Sequence, residues 1–304
     1  MDEILTTNAL VKKYGSHIAL KDISLHVPPG CIYALAGRNG AGKTTLIRLI
    51  CGLQKPDSGS YTLFGKSNTD KEIQKVRKRM GVIIERPAIY PSMTAAENLM
   101  VQYRILGMPS FDDIPALLSL VGLKDTGKQA AGTFSLGMKQ RLGIAIALAG
   151  HPDFLVLDEP ANGLDPQGII ELRELILRLN RDRQITLFIS SHILDELSRI
   201  ATHYCFLDQG YLLREITAAE LNAACRKCIC LSVNSTLPLC AVLDEKGLKY
   251  RILSDTLAEI YSPVIITQLV QALAAAGCTV LSIHEREEGL ENYYLNLVLP
   301  PDRN

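Results

Sequence analysis

Alternating and unbroken apolar runs divide this chain into strands and helices. Ile23, Leu25 and Val27 alternate with polar positions before Pro28-Pro29-Gly30, and Val11 to Gly15 (VKKYG) marks a turn. Residues 4–35 therefore suggest an antiparallel β segment. Ile32 to Ala36 is a short apolar strand that enters a glycine-rich turn, and Leu46, Ile47, Leu49 and Ile50 follow at helical spacing. Beyond the break at 55–59 (KPDSG), Ser60 to Phe64 alternate as a strand, 71–79 is a basic helix, and 81–85 (GVIIE) is an apolar strand ending in an acid. Thr94-Ala-Ala-Glu97 is a capping box that opens a helix. With further helical patterns at 112–121 and from Ser135, residues 87–150 form a helical insert between strands of the main sheet. Phe154 to Leu157 is an unbroken apolar run ending in Asp158 and Glu159, the pattern of a parallel strand buried on both faces. Residues 171–180 have helical spacing, and 185–189 (ITLFI) is another buried strand, which delivers Ser190, Ser191 and His192 to the same sheet edge.

A second pattern begins after Tyr211 to Arg214. Residues 217–224 form a connecting helix. Strands are then expected at 228–233, 248–253, 257–261 and 278–284, with helices at 236–246, 265–276 and 289–297. This β-α-β-β-α-β succession is the ferredoxin-like order, predicted for a domain over 226–304. Residues 264–283 carry no charge and are long enough to span a membrane. Thr267, Gln268, Gln271, Gly277, Thr279 and Ser282 make that stretch poor in lipid, and a helix, a glycine stop and a strand explain it better.

The 304 residues suit two domains, and 47% hydrophobic composition can build full cores. Equal numbers of basic and acidic residues, 32 each, leave no global field to attract nucleic acid. The N-terminus lacks the pattern of a secretory leader, so the chain is expected to be soluble and its eight cysteines reduced. Cys225, Cys228 and Cys230 form a C-x-x-C-x-C cluster that invites a metal. No second ligand pair follows at finger-like spacing, and small buried hydrophobes are the better expectation.

The glycine-rich turn carries the chemistry. Gly37, Gly42, Lys43 and Thr44 fit the phosphate-binding loop G-x-x-x-x-G-K-[ST], between a strand and a helix as that loop requires. Glycines let backbone N–H groups close around phosphate oxygens, and the helix N-terminus adds positive potential. Lys43 supplies the cation for the β- and γ-phosphates, and Thr44 is spaced to place a hydroxyl on Mg²⁺. The chain is thus expected to bind a nucleoside triphosphate. Asp158 is positioned to hold the same Mg²⁺, and Glu159 beside it to accept a proton from an attacking water. His192, at the carboxyl edge of its strand, is expected to meet the γ-phosphate. Tyr14 lies where an aromatic can stack on a base, although alone it is an ordinary turn tyrosine.

Together these motifs resemble the ATP-binding subunit of ATP-binding-cassette transporters. The resemblance rests on GRNGAGKTT (37–45), FSLGMKQR (134–141), LVLDEP (155–160), NGLDP (162–166) and ISSH (189–192), in that family's order, and covers about residues 1–215. It implies an α/β phosphate-loop nucleotide-binding domain over 1–216, with an antiparallel β subdomain and a helical insert, followed by the small α+β ferredoxin-like domain. Residue by residue, it implies that Tyr14 stacks on adenine and that the loop Gly37, Arg38, Asn39, Gly40, Ala41, Gly42, Lys43, Thr44 and Thr45 holds the phosphates. Glu159 is then the catalytic base, Asp165 the aspartate at a dimer seam and His192 the switch histidine. Phe134 to Met138 stands where the family usually has L-S-G-G-Q: Ser135 and Gly137 match, Leu136 and Met138 do not. Ser135 can cap a helix whose N-terminus faces the γ-phosphate of the opposite subunit.

Glu85 replaces a glutamine that in most of the family contacts Mg²⁺ and couples to the membrane partner, and the resemblance implies that its carboxylate ligates Mg²⁺ at the nucleotide site with Thr44 and Asp158. With FSLGMKQRLGIA, it resembles the branch that exports bacitracin, lantibiotics and related peptides. The resemblance implies ATP and Mg²⁺ as cofactors, a polytopic membrane permease and a second copy of this chain as partners, and a place on the cytoplasmic face of the cell membrane. Two other functions fit the same cassette. One is an immunity or sensing subunit with little turnover. The other is a non-transport ATPase of translation or DNA maintenance, disfavoured by the single cassette, the neutral charge and the absence of a long coiled-coil insertion.

Overall fold

The apolar runs close into three sheets among the described residues of a computed structural model, which are 3–224, 227–287 and 289–298. Contacts along the chain divide it into two compact units, one ending at Ala218 and the other starting at Ala219.

In the first unit, β1 (Leu5–Tyr14) pairs antiparallel with β2 (His17–Ile23) and β3 (His26–Val27). β4 (Ile32–Ala36) leaves that sheet, contrary to the expectation that residues 4–35 form one antiparallel segment. The reason lies in its side chains, all five buried, which suit a strand covered on both faces. α1 (Lys43–Ile50) follows, and β5 (Ser58–Leu63) returns to pair with β1, with β6 (Lys66–Ser67) beyond it. α2 (Ile73–Arg77) is shorter than the predicted 71–79, and β7 (Met80–Ile83) stops before Glu85.

The helical insert holds α3 (Ala95–Leu106), α4 (Ile114–Leu120) and α5 (Leu136–Leu148). Thr94 and Glu97 close the capping box of α3, and the Thr94 backbone N–H holds the Glu97 carboxyl below the usual carboxylate range. Then come β8 (Phe154–Asp158), α6 (Pro166–Arg183), β9 (Thr186–Ser191), α7 (Leu194–Ser198), β10 (His203–Asp208) and β11 (Tyr211–Thr217), after which α8 (Ala218–Ala224) opens the second unit. α6 begins earlier than the predicted 171, because Asp165 caps it and Pro166 starts it.

The second sheet runs β11-β10-β4-β9-β8-β7, parallel except for β11 at its edge. Its register places Ala36 beside Ser191 and Asp158 beside Ser190, so three strand ends share one carboxyl edge. Leu46, Ile47, Leu49 and Ile50 of α1 belong to one core cluster with Leu5, Leu10 and Leu63 of the antiparallel sheet and Tyr33, Phe154 and Phe188 of the parallel one. Tyr33 stacks on Phe188 with centroids 5.3 Å apart. α1 is thereby held from both sheets, and its N-terminus is fixed at the edge where the strands end.

Beyond α8, the second unit comprises β12 (Lys227–Val233), α9 (Thr236–Glu245), β13 (Tyr250–Ser254), β14 (Leu257–Ile260), α10 (Ile266–Ala275), β15 (Val280–Glu287) and α11 (Leu290–Val298). Its sheet, β13-β14-β12-β15, is antiparallel throughout, which gives the ferredoxin-like topology. Ile229, Leu231 and Val233 share a core with Leu239 and Leu243 of α9 and Leu269 and Leu273 of α10. Cys228 and Cys230 alternate with them and are buried on the opposite side of the sheet. Cys225 lies outside the described residues. The uncharged stretch 264–283 resolves into α10, a turn with Gly277 at φ 73° and the start of β15. Among the described residues no helix is long and apolar enough to cross a membrane.

Burial pushes the thiols of Cys31 and Cys51 up to about 12 and raises that of Cys205 as well. At pH 8 a thiol-alkylating reagent should therefore label Cys240 well before Cys31, Cys51 or Cys205, with the difference abolished in denaturant. Peptide mass mapping of a time course checks this, and equal labelling rates in the native protein would contradict the packing described.

Candidate active site

The loop between β4 and α1 is shaped by what lies behind it. A Cβ on Gly37 would stand 2.4 Å from the Leu207 carbonyl oxygen, so no side chain fits there. Gly42 has φ 108° and the Ala19 carbonyl oxygen 2.8 Å from its Cβ position. Gly42 is also the N-cap of α1, where no side chain caps the helix and no acid stands in the first turn. That end offers backbone N–H groups and positive potential to an anion. Arg38, Asn39 and Gly40 form the exposed crest of the loop, and the buried Ala41 anchors it, its carbonyl accepting from Gly210 N at 3.0 Å.

Lys43 is 6% exposed, and its Nζ donates to the carbonyls of Gly37 at 2.7 Å and Arg38 at 3.2 Å. The same ammonium pairs with Glu159 Oε1 at 3.0 Å. Thr44 Oγ1 donates to Asp158 Oδ2 at 2.8 Å, and Ser190 Oγ donates to Asp158 Oδ1. Asp158, 1% exposed, is thus served on both oxygens. Ser190 also accepts from Glu159 N, at 2.9 Å on its hydroxyl and 3.1 Å on its carbonyl. These bonds hold Glu159 at φ 49°, a left-handed conformation rare for a residue with a side chain. Its second oxygen, Oε2, lies 2.8 Å from His192 Nδ1.

One cleft is lined by Tyr14, His17, Asn39, Lys43, Thr45 and Glu159, together with Ala19, Gly40, Gly42 and Thr44. Tyr14 stands at its rim, 43% exposed, with its hydroxyl donating to Gln54. Ser135, Gly137 and Asp165 do not line this cleft. Ser135 caps α5 by accepting from Met138 N at 3.2 Å, and Asp165 caps α6 by accepting from Gly168 N at 3.0 Å. The two caps are neighbours: a Cβ on Gly163 would meet Leu136 at 3.0 Å, and one on Gly137 would meet Leu164 at 3.9 Å. Leu136 itself is 51% exposed. Glu85 also stands outside the Lys43–Asp158–Glu159 network. At φ 62° just past β7, it pairs through Oε1 with Arg48 at 2.6 Å.

The family model described as "ABC transporter" matches residues 20–162. The bacitracin transport ATP-binding protein BcrA of Bacillus licheniformis is 40% identical, over 98% of this chain and 98% of its own length. The chain belongs to the ABC transporter family. Within it, the lantibiotic transport ATP-binding protein SrtF of Streptococcus pyogenes is 41% identical over 70% of this chain and 90% of its own. Among solved structures, cbiO1 from Clostridium perfringens, part of the ABC transporter complex cbiONQ, superposes with a TM-score of 0.66. It is 27% identical and covers 73% of this chain and 92% of its own. This ABC chain is an ATPase, the ATP-hydrolysing subunit of a transporter.

Sequence reasoning missed the bridge made by Ser190. It identified the serine only as the end of a strand, whereas the β8–β9 register makes it the link between Asp158 and the backbone of Glu159. His17 and Gln54, beside Tyr14, carried no local signal either. Ser190→Ala removes the shared hydroxyl, a loss on the scale of one buried hydrogen bond, and should lower kcat roughly tenfold with little change in KM. Steady-state ATPase kinetics tests this, and an unchanged kcat would deny Ser190 a positioning role.

Proposed function

We propose that the chain powers export of a peptide antibiotic or related drug, working as a homodimer on the cytoplasmic face of the membrane beneath a polytopic permease. The observation that carries this is the separation of the site into two surfaces. Lys43, Thr44, Asp158, Glu159 and His192 converge at one sheet edge, while the Ser135 and Asp165 caps stand together elsewhere. A single phosphate loop leaves the outer face of a γ-phosphate open, and the N-terminus of α5 from a second copy is built to cover it. Ser135, Gly137 and Asp165 of one chain would then complete the ATP site of the other.

In this reading the uncapped N-terminus of α1 and Lys43 bind the phosphates, Arg38 to Thr45 enclose them and Tyr14 supports the base. The Thr44 hydroxyl and Asp158 carboxylate form a set of adjacent hard oxygen donors that suits Mg²⁺. When bound there, Mg²⁺ would neutralise phosphate charge. A triphosphate competes with Glu159 for Lys43, which releases Glu159 Oε1 to accept the proton of an attacking water. His192, hydrogen-bonded to the other oxygen, orients that carboxylate and reaches toward the γ-phosphate. Glu85 stands outside this donor set, and its pairing with Arg48 ties the end of β7 to the last turn of α1.

Support for a membrane partner lies just after Glu85. A groove lined by Ala88, Ile89, Tyr90, Val101, Ile105 and Ile146, with the polar Asn98 and Gln102 among them, opens on the helical insert, with Tyr90 50% and Ile105 68% exposed. An apolar strip of this kind suits a short amphipathic helix of a permease. Support for the branch comes from coverage: the match to the bacitracin-type relative extends through the second unit, whereas that to the lantibiotic-type relative covers 70% of the chain. We assign the domain over 226–304, within the second unit, an accessory role in that branch.

Glu159→Gln should keep ATP binding and stabilise a dimer while hydrolysis falls roughly 10²-fold or more, the range for a lost general base. Retained turnover would remove Glu159 from that role. Cysteines placed at Asn39 and Leu136, with other reactive cysteines replaced, should crosslink between chains only with ATP, and more strongly in Glu159→Gln. A crosslink confined to one chain would overturn the shared site. Purification from native membranes should recover a polytopic protein with the chain, and its absence would argue against the permease.

A further inference from the structure

Within the second unit, one cluster has no part in ATP chemistry. The thiols of Cys228 and Cys230 and a carboxylate oxygen of Glu259 lie within 4.8 Å of one another. All three residues are buried, at 6%, 4% and 5% exposure. The sheet brings them together: Cys228 and Cys230 are two apart on β12, and Cys230 is the register partner of Glu259 on β14. They share the face opposite Ile229, Leu231 and Val233, which pack with α9 and α10. The hydroxyl of Tyr261, also two residues along from its neighbour, donates to Glu259 Oε2 at 2.6 Å.

Packing alone accounts for two buried cysteines. Glu259, already hydrogen-bonded by Tyr261, adds a carboxylate oxygen to the same few ångströms. Two thiols and a carboxylate so close are three ligating atoms that a divalent cation can gather once the thiol protons leave. Two sulfurs and one carboxylate oxygen suit a borderline-soft, tetrahedral ion of the zinc class, and are unlike the all-oxygen sets of Mg²⁺ or Ca²⁺. Tyr261 is placed as the outer partner that orients a ligating carboxylate. On β15, His284 is the register partner of Cys230 but is exposed and outside the cluster, so a water would take the fourth position.

We infer that Cys228, Cys230 and Glu259 form a site for one zinc-class ion in the second unit, with Tyr261 hydrogen-bonded behind it. Binding displaces the two thiol protons to solvent and leaves the ion on two thiolates and a carboxylate, and its binding free energy adds to the stability of this sheet.

Cobalt(II) tests the site on the full-length chain, because thiolate ligation gives charge-transfer and tetrahedral d–d bands that oxygen ligation does not. The reduced protein should take up one cobalt per chain with those bands, and zinc should bleach them. Cys228→Ser combined with Cys230→Ser should abolish them, with ATP binding by the first unit kept as the sign of an intact chain. Absence of the bands in the wild-type chain, or their persistence in the double variant, would overturn the site. If the double variant fails to fold, Tyr261→Phe serves instead: it should weaken zinc binding about tenfold, the lower end of effects at such outer partners, and unchanged affinity would count against the site.

Discussion

The first unit depends on one buried carboxylate. Asp158 ends a strand whose every residue is covered, and Thr44 and Ser190 each donate a hydroxyl hydrogen bond to one of its oxygens. Those donors come from different parts of the chain, one from the first turn of α1 and one from the end of β9. The carboxylate therefore ties three segments into one edge, and a buried group of this kind is expensive to leave unsatisfied. Removing either hydroxyl loosens the others, so ATP chemistry and local stability rest on the same bonds.

That edge is rigid because of what lies beneath it. α1 contributes four apolar residues to a core shared by an antiparallel and a parallel sheet, so it cannot tilt without disturbing both. Its N-terminus, without a capping side chain, is the one polar consequence of this packing that faces the cleft. The other two helices that matter, α5 and α6, end differently. Each has a side-chain cap, Ser135 and Asp165, and their starts lie side by side. Of these three helices, α1 presents a bare end and α5 and α6 capped ones, on separate surfaces.

Much of this was legible because it is written in contiguous residues. The phosphate loop, the apolar run before Asp158 and Glu159, and the capping box at Thr94 are local strings, and local strings read well. The start of α6 was also written, in Asp165-Pro166, but the apolar spacing that marks its body begins later and hid it. What escaped were pairings between segments far apart in the chain. Ser190 meets Glu159 across 31 residues, and Arg48 meets Glu85 across 37. Glu259 lies on another strand from Cys228 and Cys230, so the spacing of the cysteines alone gave no reason to look for it.

The backbone of Glu159 carries a consequence of another kind. Its left-handed conformation is one that glycine or asparagine adopts at less cost, whereas the role proposed for this position needs a carboxylate. Foldability and turnover thus favour different residues at one position. On that proposed role, random change here favours chains that fold at least as well and turn over less, and such chains keep their phosphate loop and their caps. Selection on turnover rather than on stability is then what holds the glutamate where it is.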